Sequence, residues 1–168
     1  MSRKATKAID NVFYQARMEA SKFNDSLNSR EGASEKIGID RTRLARIELG
    51  SLNPYPEEVL LISDTYNTPE LNNYYCSNLC PLGKQTIQQI EICKIERLTI
   101  QILSVLKGTS ISKIKESLID ITADGKITKD EVPRLQEIID TLDEISSKSQ
   151  SLKLWAEKHL INCCRREV

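Results

Sequence analysis

Apolar residues in this 168-residue chain recur three and four positions apart, in short blocks separated by helix-capping residues. No convincing run alternates with period two beside a hairpin-type turn. That pattern predicts an all-α chain. The first block, Ile9, Val12, Phe13, Ala16, Ala20 and Phe23, makes one stripe on a helix that "NDSLNS" breaks. Ser29 caps a second helix, with Glu31 and Glu35 in or near its first turns, and Gly38 closes it in the left-handed conformation. Asp40 caps a third helix running to about Leu49, which Gly50 stops. Pro56, Glu57 and Glu58 open a fourth, whose apolar face is Val59, Leu60, Ile62 and Tyr66. Thr68 and Pro69 repeat the device for a fifth helix. Five short helices thus fill residues 6–76, within a first domain of residues 1–76.

Residues 77–84 read as a linker, and from 85 to 168 the pattern changes to longer helices. Residues 85–107 carry Ile87, Ile90, Ile95, Leu98, Ile102, Val105 and Leu106, and a shorter helix follows near 111–121. The last helix, about 129–163, places Leu135, Ile138, Leu142, Ile145, Ser149, Leu152, Ala156, His159 and Cys163 in a heptad seam. This predicts a helical hairpin or three-helix domain, with the seam as the contact of a homodimer.

The charge is distributed unevenly. The chain is neutral overall, with 24 basic and 24 acidic side chains. Residues 1–50 hold ten lysines and arginines against seven acids, whereas residues 51–84 hold one lysine against four acids. A surface for a polyanion must therefore be a local patch in the first fifty residues. Within them, Arg41, Arg43 and Arg46 crowd the third helix. At about 100° per residue, Leu44 and Ile47 fall on one side and Arg41, Thr42, Ala45 and Arg46 on the other, with Arg43 at the border. Long arginines around a small alanine, on a helix that begins with a capped turn, suit a major groove and its guanine edges.

A short helix, a glycine turn and a second helix with an exposed basic face make a helix-turn-helix. The stretch "SREGASEKIGIDRTRLARIELGSLNP" resembles the Xre/Cro-type helix-turn-helix of phage-repressor-like regulators. "EKIGI" matches the turn, "RTRLARIELG" the recognition helix and "NPYPEEVLLISDTYN" the core helix that follows. The resemblance covers about residues 6–76. It implies a five-helix DNA-binding domain in which Asp40 is the cap and Arg41, Thr42 and Arg46 face bases. It also implies that Arg30 touches and buttresses the DNA backbone, and that Arg43 meets a phosphate or a thymine methyl. Glu48 and Asn53 match positions that tie the recognition helix to the next loop. The chain departs from the pattern at Ala33, where a large aliphatic residue is usual, and at Ser34, the small-residue site. Gly32 lies inside the second helix, at a cost of ~1 kcal/mol relative to alanine.

Two other groupings have alternative readings. Residues 120–131, "DITADGKITKDE", resemble an EF-hand calcium loop with Asp120, Asp124 and Glu131 as candidate metal ligands. The same residues are explained without an ion if Asp124-Gly125 closes one helix and Thr128 with Glu131 forms a capping box for the next; the latter reading is favoured. Cys76, Cys80 and Cys93, with Cys163, Cys164 or His159, offer a zinc or redox set; the favoured reading is buried thiols acting as small hydrophobes.

No nucleophile elbow, phosphate-binding glycine loop or dinucleotide turn is present, and the chain has a single histidine. An enzyme is not expected, and no cofactor is implied. No apolar run approaches the ~20 residues of a membrane span, and the N-terminus lacks the apolar stretch of a secretory signal. The expectation is a cytoplasmic, nucleoid-associated regulator of bacterial or phage type that binds double-stranded DNA as a homodimer, with no membrane partner and no identifiable small-molecule effector. The alternative is a DNA-tethered sensor or antitoxin-like interaction module, whose C-terminal half binds a partner, ligand or metal.

Overall fold

Capping side chains set the helix boundaries more tightly than the apolar stripes do. In the computed structural model, which describes residues 8–90, 93–122 and 127–164, α1 is Val12–Ala20. Asn11 starts it by accepting from the backbone N–H groups of Phe13 (2.9 Å) and Tyr14 (3.2 Å). Ile9 and Phe23, expected at the two ends of the stripe, lie outside the helix and are exposed. A 3₁₀ turn, Asp25–Asn28, follows and buries Leu27 completely. Then come α2 (Arg30–Ile37), capped by Ser29, and α3 (Arg41–Glu48), capped by Asp40. Gly38 between them has φ +80°, the left-handed conformation the turn requires.

The fourth helix, α4 (Pro56–Tyr66), buries Val59, Ile62 and Tyr66, while Leu60 points to solvent. Residues 59, 62 and 66 share a face at i, i+3 and i+7, and Leu60 falls about 100° away from Val59. Asn67 (φ 51°) closes α4 in the left-handed region, and α5 (Glu70–Tyr74) continues into a π-helical turn, Tyr75–Leu79. Thr68 does not cap α5 as expected. Its hydroxyl donates back to the Tyr66 carbonyl (3.1 Å), because the chain is still completing the end of α4 there. Residues 77–84 are not an open linker: the π turn and α6 (Gly83–Thr86) occupy much of them.

The chain divides into two units, Met1–Gln89 and Ile90–Val168. In the first, Phe13, Ala16, Leu27, Ala33, Ile37, Leu44, Ile47, Val59, Ile62, Tyr66 and Leu71 form one core, with Phe13 edge-on to Tyr74 at 6.2 Å. Gly32 is explained by its neighbour. A Cβ there would stand 2.2 Å from the Ser26 carbonyl oxygen, so the 3₁₀ turn reaches α2 only because the side chain is absent.

The second unit holds α7 (Ile95–Val105), α8 (Gly108–Thr122) and the 33-residue α9 (Val132–Cys164), with α7 and α8 each packed against α9. Residues 87–90, expected in a helix from 85 to 107, are non-helical, and Ile87 is exposed. Leu98, Val105, Ile121 and Ile138 are buried. The expected heptad seam is followed only partly. Leu135, Ile138 and Ile145 turn inward, but Leu142, Ser149, Leu152 and His159 are exposed, and Ser151 is buried instead. The side chain of Cys163 lies outside the described residues. Helix α7 is apolar on two sides, since Ile100 and Leu103 are exposed opposite Leu98 and Val105.

All regular structure among the described residues is helical, and none of their helices is long and apolar enough to cross a membrane.

Gly32→Ala separates helix propensity from steric fit. Propensity alone predicts a gain of ~1 kcal/mol, but the Ser26 carbonyl makes a loss of ~1–3 kcal/mol the expected result. Gly108→Ala, where a Cβ meets nothing within 4 Å, should be neutral or stabilising. Urea denaturation of the two variants measures both signs.

Candidate nucleic-acid interface

Helix α3 owes its placement to its inner face and its last residue. Leu44 and Ile47 are essentially inaccessible, and Glu48 is 0% exposed. A bare carboxylate in such a place would cost several kcal/mol, yet here two arginines meet it. Arg17 of α1 binds it through two bonds, Nε to Oε1 at 2.6 Å and Nη2 to Oε2 at 3.2 Å. Arg30 of α2 adds Nε to Oε2 at 2.6 Å. Arg17 is itself buried and donates through Nη1 to the carbonyls of Leu27 (2.9 Å) and Asn28 (3.2 Å). Burial opposes the charge on Arg17, but the hydrogen bond and charge of Glu48 outweigh it and hold the guanidinium above its usual pKa. Nearby, burial with the charge of Glu48 pushes the Tyr66 phenol up. The Tyr66 hydroxyl is buried with no hydrogen-bond partner among the described residues.

The end of α3 is fixed a second time by Asn11, whose Nδ2 donates to the Ile47 carbonyl at 3.0 Å. Ser51 then folds the chain back, its N–H (3.0 Å) and hydroxyl (3.1 Å) both donating to the Arg46 carbonyl. Glu48 therefore ties α3 to α1 and α2 rather than to the next loop. Asn53, expected to share that task, is exposed and has no hydrogen bond among the described residues.

The outer side of α3 is polar. Arg41 is 66% exposed, with only a 4.0 Å approach to Glu31. Thr42 and Arg46 are exposed, Arg46 has no ion pair among the described residues, and Ala45 is half-buried between them. Arg30 and Arg43 differ. Arg30 is 26% exposed and shares Glu48 with Arg17, so two cations meet one anion and the cluster keeps one positive charge at its accessible end. Arg43 is fully balanced. Its Nε and Nη2 grip both oxygens of Glu58, the second at 2.9 Å, and its guanidinium carbon lies 4.2 Å from the centre of the Tyr55 ring. Glu58 also accepts from the Tyr55 N–H at 2.7 Å, at the start of α4. The hydrogen bond from Arg43 holds the Glu58 carboxyl below its usual range, and the same bond holds Arg43 above its own.

Arg17 escaped the sequence reading. The available signal was an arginine four residues after Phe13, inside α1's apolar stripe, and a glutamate four residues after Leu44 on α3's. Opposite charges on two buried stripes are a candidate pair.

Of the other candidate ligands, Asp120 and Glu131 have protein partners. Asp120 lies 3.5 Å from Arg134, and the Glu131 carboxylate accepts from the N–H and hydroxyl of Thr128, both at 2.8 Å. Asp124 and Gly125 lie outside the described residues. Cys76, Cys80 and Cys93 are free thiols, and no group of three or more possible metal ligands occurs among the described residues. His159 stacks on Trp155 at 4.3 Å.

Two expectations follow for stability. Glu48→Ala leaves Arg17 charged and buried, so a loss of ~3–5 kcal/mol is expected in urea denaturation. Glu58 contributes stability above the ordinary glutamate pKa of about 4.3, and the contribution fades as pH falls through its depressed value. The stability difference between the wild type and Glu58→Gln should therefore shrink on acidification.

Comparison of the chain with protein-family models, curated proteins and solved structures finds no match, so a function must be argued from these residues themselves.

Proposed function

We propose that the first unit binds double-stranded DNA sequence-specifically, as a transcriptional regulator of bacterial or phage type acting at the nucleoid. Helix α3 enters the major groove with Arg41, Thr42 and Arg46 toward base edges. Arg30 and Arg43 lie at the border with the sugar-phosphate backbone. The observation that carries this reading is the division of α3 into two faces. One is locked into the core through Leu44, Ile47 and Glu48, while the other leaves Arg41 and Arg46 exposed beside half-buried Ala45. A rigidly held helix presenting exposed arginines around a small residue suits bidentate reading of guanine. The helix-turn-helix resemblance of residues 29–54 supports the same arrangement.

One such domain reads few base pairs, so a full site needs two copies on half-sites about 10 base pairs apart or a multiple of that. The second unit is the proposed dimer contact. Its exposed Ile100, Leu103, Ile139 and Leu142 also favour a second reading, in which this unit docks another protein and the first tethers the complex to DNA.

Selection of sites from random duplexes by the purified protein tests the main reading. A consensus should emerge, and Arg46→Ala should lose ~1–3 kcal/mol on it and relax preference at one base pair. Equal losses on selected and random DNA would remove Arg46 from the reading face. Sedimentation of the full chain at micromolar concentration should show a dimer. A fragment ending at Gln89 should stay folded and bind the selected site more weakly.

A further inference from the structure

The restraint on Arg43 runs against what a simple basic patch would need. Arg43 stands on the recognition helix, one turn from Arg46, yet its side chain is only 25% exposed. Glu58 takes its Nε–Nη2 edge with both carboxylate oxygens, and Tyr55 covers one face of the guanidinium. The carboxylate is fixed in turn. It accepts from the Tyr55 N–H and sits in the first turn of α4, where the helix dipole favours a negative charge. A phosphate drawing Arg43 away would face a Glu58 side chain that is 13% exposed, fixed in place and newly unpaired. Repulsion between the two anions opposes the exchange.

We propose that Glu58 is a specificity-determining residue that withholds Arg43 from the phosphates. This rests on the DNA-binding reading above and assigns Glu58 and Arg43 a role within it. Phosphate contacts strengthen binding to every sequence alike. Neutralising one arginine on the recognition helix lowers affinity for random DNA without touching the side chains that face bases. Discrimination is left to Arg41, Thr42 and Arg46. Arg30 keeps the uncompensated charge of its cluster and remains the backbone contact. Tyr55 is a positioning residue, holding the guanidinium plane against the carboxylate.

The test is the salt dependence of binding to a random duplex, measured by fluorescence anisotropy on the full chain between about 50 and 200 mM salt. Glu58→Gln keeps an oxygen for the Tyr55 N–H and releases Arg43. The slope of log affinity against log salt should steepen by about 0.9, the value of one added phosphate contact, so the advantage over wild type falls about threefold across that range. In an Arg43→Ala background the same Glu58→Gln change should leave the slope unaltered. Tyr55→Leu, which leaves Glu58 in place, should steepen it by a smaller amount and provides a second route should Glu58→Gln fold poorly. If wild type binds DNA and the Glu58→Gln slope equals its own, Glu58 does not withhold Arg43 and the proposal fails alone. A steepening that persists in the Arg43→Ala background also overturns it, because loss of a carboxylate would then act through the general field. If wild type binds no duplex at any salt, the DNA-binding reading itself fails.

Discussion

Everything in the first unit converges on a carboxylate that cannot reach water. Glu48 ends α3; Arg17 of α1 holds both of its oxygens, and Arg30 of α2 shares the second. Removing three charges from water is costly, and a well-packed apolar cluster of the same volume would be as stable or more so. The ion cluster offers direction instead. Arg17 spends its remaining donors on the carbonyls of the 3₁₀ turn, so one guanidinium fixes α1, that turn and α3 relative to each other. Rotation of α3 about its axis would break these directional bonds and carry every exposed arginine with it. The polar node makes such rotation expensive.

Much of this unit was legible in the sequence because caps and glycines are local signals. Ser29, Gly38 and Asp40 stand where the turn places them, and Leu44 and Ile47 are buried as their spacing demands. The misreadings come where two elements compete for one residue. Ile9 continues the stripe of α1 on a wheel, yet Asn11 caps the helix after it. Thr68 has a good capping side chain, yet α4 claims its hydroxyl. Leu60 belongs to an apolar run, yet one face of α4 can touch only one core. The counter-ions are harder still, since nothing in the local sequence of α3 says that Glu58, fifteen residues after Arg43, will reach back to it.

In the second unit the expected heptad seam is followed only partly, for a different reason. A heptad seam is a statement about two partners of similar length, and α9 has 33 residues against 11 in α7 and 15 in α8. A long helix flanked by two shorter ones has no single seam. Its inward face follows whichever neighbour is present at that height. Ser151 is consequently buried, its hydroxyl returned to the Ser147 carbonyl at 2.9 Å, while Leu152 beside it is exposed.

Asn11 carries a consequence beyond its capping role. A helix start accepts serine, threonine, aspartate or asparagine almost interchangeably, because only an oxygen is asked for. Here the oxygen serves α1 and the amide nitrogen of the same side chain serves the Ile47 carbonyl. Serine is too short to do both. Aspartate would cap α1 equally well while turning a second oxygen, in place of a donor, toward a carbonyl that then keeps only the Gly50 N–H. Exchange of the amide for a carboxylate would therefore keep the cap of α1 and loosen the far end of α3, a local injury invisible to a measurement of helix content.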